Sequence, residues 1–310
     1  MASFAYVTNT GSHTLSVIDL ATSTVVASPA VRGAPIRVAL TPDGKRAYAT
    51  SRETAGGAFV SVLDTATSQV TDTIANVTDF FISGIAISRD GARAYVASAG
   101  NDHAVKVLDI ATNTVTATVP MDNSIDVAAA PDGRHVYVTS FEGVTVIDAA
   151  TLTVAAAIDI AKGSTSTTGR GLAFSPDGAK AYVTSGGLNS VAVIDTAART
   201  VTATVGVGVD PVGIAVTPDG RRAYVANHGS GNVSVVDTAN NTETATIALG
   251  AEPFGVAVTA DGGRVYVTSS GADTKNVSVI DTATNGIVAR ITAGSRPFAI
   301  AIGQAAPASA

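Results

Sequence analysis

Short apolar runs cut by polar turns recur along the whole chain, and one of them keeps returning. It reads Ala5-Tyr6-Val7-Thr8-Asn9 first, then AYATS at Tyr48, AYVAS at Tyr95, VYVTS at Tyr137, AYVTS at Tyr182, AYVAN at Tyr224 and VYVTS at Tyr266. The tyrosines are 42 to 47 residues apart, inside the range that marks propeller blades and other repeat architectures. Each period predicts four strands. An inner strand such as Pro211-Val212-Gly213-Ile214-Ala215-Val216 runs into an Asp-Gly turn, and Ala223-Tyr224-Val225-Ala226 follows. A polar loop then leads to Val233-Ser234-Val235-Val236-Asp237, and a Thr-Ala-Asn-Asn turn leads to a fourth strand over 243–247. Asp-Gly between apolar runs is a strong hairpin signal, because glycine accepts positive φ. It recurs at Asp43, Asp90, Asp132, Asp177, Asp219 and Asp261. The third strand of every unit ends in an aspartate (Asp19, Asp64, Asp109, Asp148, Asp195, Asp237, Asp281), which reads as a turn starter bonding the backbone just ahead of it.

The two ends fit together. Residues 4–27 supply three strands with no inner strand before them, and Pro297-Phe298-Ala299-Ile300-Ala301-Ile302 supplies an inner strand with nothing after it but small residues. The expectation is an all-β, seven-bladed β-propeller of four antiparallel strands per blade, closed by the C-terminal strand joining the N-terminal blade. Closure removes the exposed sheet edge that invites aggregation. One domain spans 1–303, with a small-residue tail over 304–310.

Composition narrows the function classes. Of 310 residues, 46% are hydrophobic and 14% charged, as in a well-buried globular chain. A net charge of −6 speaks against the broad basic footprint of a nucleic-acid binder. The chain has no cysteine, which excludes disulfides, zinc–thiolate sites and a cysteine nucleophile. No apolar run reaches membrane-spanning length, and the N-terminal MASFAYVTNT lacks the basic start and apolar core of a signal peptide. The plain expectation is a cytoplasmic monomer without membrane insertion; removal of a leader from an exported or cell-surface protein would leave the same sequence.

The repeated Tyr-Val-Thr-Asn/Ser strand, the Pro-Asp-Gly turn and the VSVIDTATN strand-turn resemble the YVTN family of β-propeller repeats, over essentially the whole chain. That resemblance implies a bacterial or archaeal seven-bladed propeller, with cell-surface proteins among its relatives. Related propeller families include lactonases and a lyase that opens a cyclic antibiotic ester, but no stretch here matches their metal or catalytic residues.

Function is expected where the repeats differ. Aligned on the turns, one inner-strand position reads Ala39, Ala86, Ala128, Ala173, Ala215, Ala257 and Ala301. Two residues earlier it reads Arg37, Gly84, Asp126, Gly171, Gly213, Gly255 and Ala299. Alternation puts both on one face, and their small size suggests the crowded wall of a central channel. Arg37 and Asp126 break the pattern, either as a structural ion pair across the channel mouth or as a ligand clamp in which Arg37 takes a carboxylate or phosphate. Arg170 joins this group, although its strand phase matches the apolar Ile36, Val212 and Phe254. Phe141, Glu142 and His228 stand on the rim.

Asp79, Asp102, Asp122, Asp126 and Glu142 lie over blades 2 and 3; Arg32, Arg37 and Arg52 over blade 1; Arg296 enters blade 7, and Lys162 and Arg170 enter blade 4. Phe80 and Phe81 fall in the same loops as Phe141. His13, His103 and His228 belong to blades 7, 2 and 5, too dispersed for a three-histidine metal site, and His135 is expected to be solvated on the opposite rim. No cofactor is expected, and the one cation candidate is a divalent ion near Asp102, Asp122 and Asp126. The leading reading is a binding protein for a small polar molecule or a protein surface at the channel mouth, with no nucleic-acid partner. The alternative is an enzyme of lyase, lactonase or cyclase type on the same face. In it His103 or His228 is the acid/base and Arg37 holds the developing oxyanion. A structural cell-surface module is the third reading.

Overall fold

A computed structural model of the chain describes residues 3–53, 56–78, 82–99, 103–160, 169–250 and 252–304. The fold is all-β: seven blades, each a four-stranded antiparallel sheet, in the arrangement of a β-propeller. Blades 1 to 6 begin with the strands Ala34–Leu40, Ile82–Ile87, Asp126–Ala129, Gly169–Phe174, Pro211–Val216 and Pro253–Val258. Blade 7 joins the two ends of the chain. Its first strand, Pro297–Gln304, pairs with Ser3–Asn9 in a register that sets Tyr6 against Ala301 and Ser3 against Gln304. The chain divides into two compact units: residues 1–124, 270–277 and 289–310, and residues 125–269 and 278–288.

Within each unit, apolar packing joins one blade to the next. In the first unit Tyr6, Leu15 and Val17 of blade 7 pack with Val38, Ala47 and Ala49 of blade 1, and Tyr48 and Val60 of blade 1 with Ile82, Ile85 and Val96 of blade 2. The second unit repeats the arrangement. Tyr137 and Val146 of blade 3 meet Ala181 and Val183 of blade 4, Tyr182 and Val193 of blade 4 meet Ile214 and Val225 of blade 5, and Tyr224 and Val235 of blade 5 meet Val265 and Val267 of blade 6. All seven repeat tyrosines are buried. Small and β-branched neighbours let the sheets approach closely over these rings.

Buried polar groups carry the connection further. Two residues past the repeat tyrosine, blades 2 and 5 have Ala97 and Ala226, whereas each of the other five has a fully buried threonine, at Thr8, Thr50, Thr139, Thr184 and Thr268. Its hydroxyl accepts a backbone N–H from its own blade's first strand: Ala299 to Thr8 at 2.8 Å, Arg37 to Thr50 at 3.2 Å, Asp126 to Thr139 at 3.0 Å, Gly171 to Thr184 at 2.8 Å and Gly255 to Thr268 at 2.8 Å. The same hydroxyl donates to a carbonyl on the first strand of the following blade. Thr8 reaches Ile36 O at 3.4 Å, Thr139 reaches Arg170 O at 3.3 Å and Thr184 reaches Val212 O at 2.8 Å. One side chain thus satisfies a donor and an acceptor that would otherwise be buried unpaired. The glycines have a matching cause. A Cβ on Gly171 would lie 2.2 Å from Val212 O, and one on Gly213 would lie 2.1 Å from Phe254 O. Crowding at this position therefore comes from the next blade's first strand.

At the opposite ends of the strands, every strand-terminal aspartate from Asp19 to Asp281 accepts backbone N–H bonds from residues two or three ahead, the architectural role expected of it. His135 departs from expectation. It is held between Asp132, whose Oδ2 lies 2.7 Å from its Nδ1, and Arg199, whose Nη2 lies 3.1 Å from its Nε2. Arg199 also bonds Ala155 O at 3.2 Å, so this histidine is part of a link between blades 3 and 4 and is not a solvated side chain.

Two predictions follow from these bonds. Thr184→Val keeps the shape but strips partners from Gly171 N–H and Val212 O; a loss of about 1–3 kcal/mol in urea unfolding is expected, and an unchanged midpoint would contradict the clasp. The second concerns pH. Hydroxyl donors two residues upstream hold Asp43, Asp90, Asp177, Asp219 and Asp261 below the ordinary 3.8. Backbone N–H donors do the same for Asp64, Asp109, Asp148 and Asp281. Burial pushes the phenols of Tyr95, Tyr137, Tyr182 and Tyr224 above 10.0 and that of Tyr6 up to about 12. The depressed aspartates contribute stability that is present above their unfolded value and lost as pH falls through the folded one. The raised tyrosines contribute stability present below their unfolded value and lost as pH rises toward the folded one. The urea midpoint should therefore be flat from about pH 5 to about pH 9 and fall on both sides; a profile with no plateau would refute this.

Candidate functional site

The loop ends of the strands repeat two positions whose backbone role is constant and whose chemistry is not. The first lies four residues after each repeat tyrosine and reads Thr10, Arg52, Ala99, Phe141, Gly186, His228 and Ser270. The second is the residue before the proline at the start of four first strands: Ala34, Asp210, Glu252 and Arg296. In blades 7 and 5 the two positions are bonded to each other: Thr10 N donates to Arg296 O at 3.0 Å and His228 N donates to Asp210 O at 3.0 Å. Side chains at these positions therefore stand side by side on a fixed frame.

In the second unit a row of ionisable side chains runs across three blades. Arg170 of blade 4 sets its Nη2 3.2 Å from Oδ1 of Asp210, at the entry to blade 5. The other carboxylate oxygen, Oδ2, lies 3.6 Å from Nδ1 of His228. The far ring nitrogen of His228, Nε2, lies 3.6 Å from Oε2 of Glu252, at the entry to blade 6. Phe254 meets the imidazole edge-on, with centroids 6.2 Å apart. Asp210 is the anchored member. Its N–H donates to Asn189 Oδ1 at 3.0 Å, and its backbone sits at φ 50°, a left-handed conformation that aspartate tolerates better than most residues. The Glu252 side chain is 57% exposed, against 31% for Asp210 and His228.

The two 3.6 Å separations exceed a direct hydrogen bond. His228 lies between the two carboxylates and against Phe254, with no closed hydrogen bond to either carboxylate. Such a group can accept or donate a proton, or receive a polar atom of a ligand beside it. Val209, 52% exposed, lies next to Asp210 and against Gly229, and supplies an apolar neighbour to the charged chain.

Of the residues singled out from the sequence, Arg170 and His228 are brought into one arrangement through Asp210. Arg170 lies at the strand phase of Ile36 and Val212, as its carbonyl bond from Thr139 shows. Phe141 is 49% exposed beside the exposed Glu142 on the loop of blade 3, at the same position in its blade as His228. Asp126 belongs to the second unit, and its Oδ1 accepts the N–H of Val127 at 3.0 Å. Arg37 belongs to the first unit, with its guanidinium 5.6 Å from the centre of the Phe298 ring. In the same unit Arg32 stacks 3.9 Å over Phe59 and pairs with Glu53 at 2.8 Å. His13, His103 and Asp122 are exposed in the first unit. Asp79, Phe80, Phe81, Asp102 and Lys162 lie outside the described residues. Among the described residues no three histidine, aspartate or glutamate side chains group as metal ligands.

Asp210 and Glu252 were missed in the sequence, although a signal was present. GVDP and GAEP occupy one position of the repeat, with Asp and Glu where RGAP has Ala34 and GSRP has Arg296.

No protein-family model matches the chain. It is 33% identical over 153 residues to the seven-bladed beta-propeller protein Rv1057 of Mycobacterium tuberculosis, a stretch covering 47% of this chain and 38% of that protein. The chain thus spans well under half the length of this curated relative. Among solved structures it is similar to the hydrazine synthase of Kuenenia stuttgartiensis, with a TM-score of 0.72 and 22% identity over 86% of this chain and 88% of the other. It is also similar to the dihydro-heme d1 dehydrogenase NirN in complex with DHE, with a TM-score of 0.69 and 16% identity over 96% of this chain and 74% of the other. At these identities the structural likeness is one of fold. The chain is a seven-bladed β-propeller whose fold it shares with proteins of quite different named roles.

Proposed function

We propose that the protein binds a small polar molecule on the loop face of its second unit, at the chain formed by Arg170, Asp210, His228 and Glu252. The observation that supports this most is the histidine set between two carboxylates without a closed hydrogen bond to either. These residues occupy positions that the repeat leaves free to vary, while the neighbouring backbone is tied at both ends. Preorganised polar groups beside an apolar wall are what a small-molecule site needs. Asp126, Phe141 and Glu142, in the same unit, remain the outlying candidates for contacts with a larger ligand or a protein surface.

An acid/base enzyme of lyase, lactonase or cyclase type is the second reading, favoured by one feature. Asp210 faces Nδ1 of His228 while Arg170 holds the other oxygen of the same carboxylate, an arrangement that orients an imidazole for proton transfer.

Only four histidines are present, so their ring NMR signals make a direct test. A panel of small amines, carboxylates, phosphates and lactones is expected to shift the His228 signals in a saturable way while those of His13, His103 and His135 stay still. Disappearance of a panel compound over time would favour the enzyme. A His228 ring that responds to nothing would overturn the proposal.

A further inference from the structure

We infer that the loop end of blade 7, in the first unit, holds a seat for a small oxyanion, a carboxylate or a phosphate; this goes beyond the binding reading above and does not rest on it. The entry loops of blades 5 and 7 lie bonded along the loop of the blade before them. At blade 5 the bonds run from Val207 N to Asn189 O at 3.0 Å and from Asp210 N to Asn189 Oδ1 at 3.0 Å. At blade 7 they run from Ala293 N to Lys275 O at 2.6 Å and from Arg296 N to Thr274 O at 2.9 Å. The frame is shared, but the chemistry on it is not. Where blade 5 has an amide and a carboxylate, blade 7 has Lys275 and Arg296, two exposed cations on neighbouring, bonded stretches of backbone. Like charges set this way repel. Among the described residues neither cation has an ion-pair or hydrogen-bond partner for its side chain.

Arg296 is also aimed. Its main chain is tied on both sides, by its own N–H to Thr274 O and by Thr10 N to Arg296 O at 3.0 Å. Gly11 N donates to Ser295 O at 3.0 Å, and a Cβ on Gly11 would stand 2.8 Å from Ser295 Oγ and 3.2 Å from Arg296 Cγ. The arginine stem and the serine hydroxyl therefore converge over bare backbone. Arg296 sits at φ 55°, a conformation that aspartate at the matching Asp210 tolerates better than arginine does, and its guanidinium gives the fold no bond in return. That guanidinium presents a fork of N–H donors matched to two oxygens of a carboxylate or phosphate. The Ser295 hydroxyl adds a donor, and Lys275 adds a second positive charge. An oxyanion held there offsets the repulsion between the two cations. Asp273, exposed on the same loop as Lys275, makes no ion pair with either of them. His13 belongs to the next boundary, where its carbonyl takes the N–H of Val31 at 3.0 Å.

The test is an NMR titration followed by the backbone amide of Gly11 and the Nε–H of Arg296, with ionic strength held constant by sodium chloride. The probes are acetate and inorganic phosphate. At least one of them is expected to shift these signals saturably, and the tighter of the two identifies the ligand as a carboxylate or a phosphate. Arg296→Gln, an exposed change whose folding is checked by the rest of the amide spectrum, should weaken that anion at Gly11 about tenfold or more through loss of charge-assisted bonds. Lys275→Gln should weaken it in the same direction. Arg134→Gln, which removes one charge from an exposed hairpin of the second unit, should leave it unchanged. Undiminished binding by Arg296→Gln would overturn the inference, as would an equal loss with Arg134→Gln, shifts that never saturate, or silence toward both anions. The His228 site is reported separately by its own ring signals, so failure here and failure there are distinguishable.

Discussion

The approach of successive blades rests most on one recurring hydroxyl, present in five of the seven blades and replaced by Ala97 and Ala226 in the other two. A threonine two residues past the repeat tyrosine accepts an N–H from its own blade and, at Thr8, Thr139 and Thr184, donates to a carbonyl of the following blade. It sits where water is excluded, so each bond left unmade would cost its full desolvation. The hydroxyl must therefore be where it is, and the strands must approach until it reaches. That approach leaves no room for a Cβ at Gly171 or Gly213. It also brings the tyrosine-centred apolar surfaces of consecutive blades into contact.

Such a frame separates two kinds of position. Residues that close the clasp, cap the turns or fill the space between blades have their chemistry dictated by neighbours. Residues at the loop ends have only their backbone dictated. His228 and Thr10 make the same main-chain bond to the residue before a proline, and their side chains differ freely. In the Arg170–Asp210–His228–Glu252 chain, Asp210, His228 and Glu252 are side chains of the second kind, and Arg170 reaches Asp210 from within a first strand. Exposed or half-exposed ion pairs contribute little to stability, so the fold has no strong need for this chain.

The repeat architecture was legible because its causes are local. Glycine at positive φ marks the Asp-Gly turns, alternating small and β-branched residues mark the strands, and the leftover strand at 297–304 finds its partner by elimination. The site was legible in part. His228 and Arg170 stood out as exceptions to the repeat, but the residue joining them did not. Asp210 looked like a loop aspartate, and its role depends on one blade's entry loop lying beside the neighbouring strand ends, which a period alone does not specify. His135 failed for the same reason. Asp132 was visible beside it in sequence, whereas Arg199 arrives from another blade's turn. Arg37 and Asp126 are irregular within the repeat, and their contacts within each unit, with Phe298 and with the backbone of Val127, involve partners that alternation does not reveal.

The central claim is that the clasp makes the fold while the varied loop positions are left for a ligand. Equilibrium unfolding of a His228→Ala/Glu252→Ala double variant tests it most directly. If the ion chain is a site rather than a strut, the unfolding free energy should stay within about 1 kcal/mol of the parent. A loss of several kcal/mol would mean that the chain holds blades 4, 5 and 6 together, and the claim would fail.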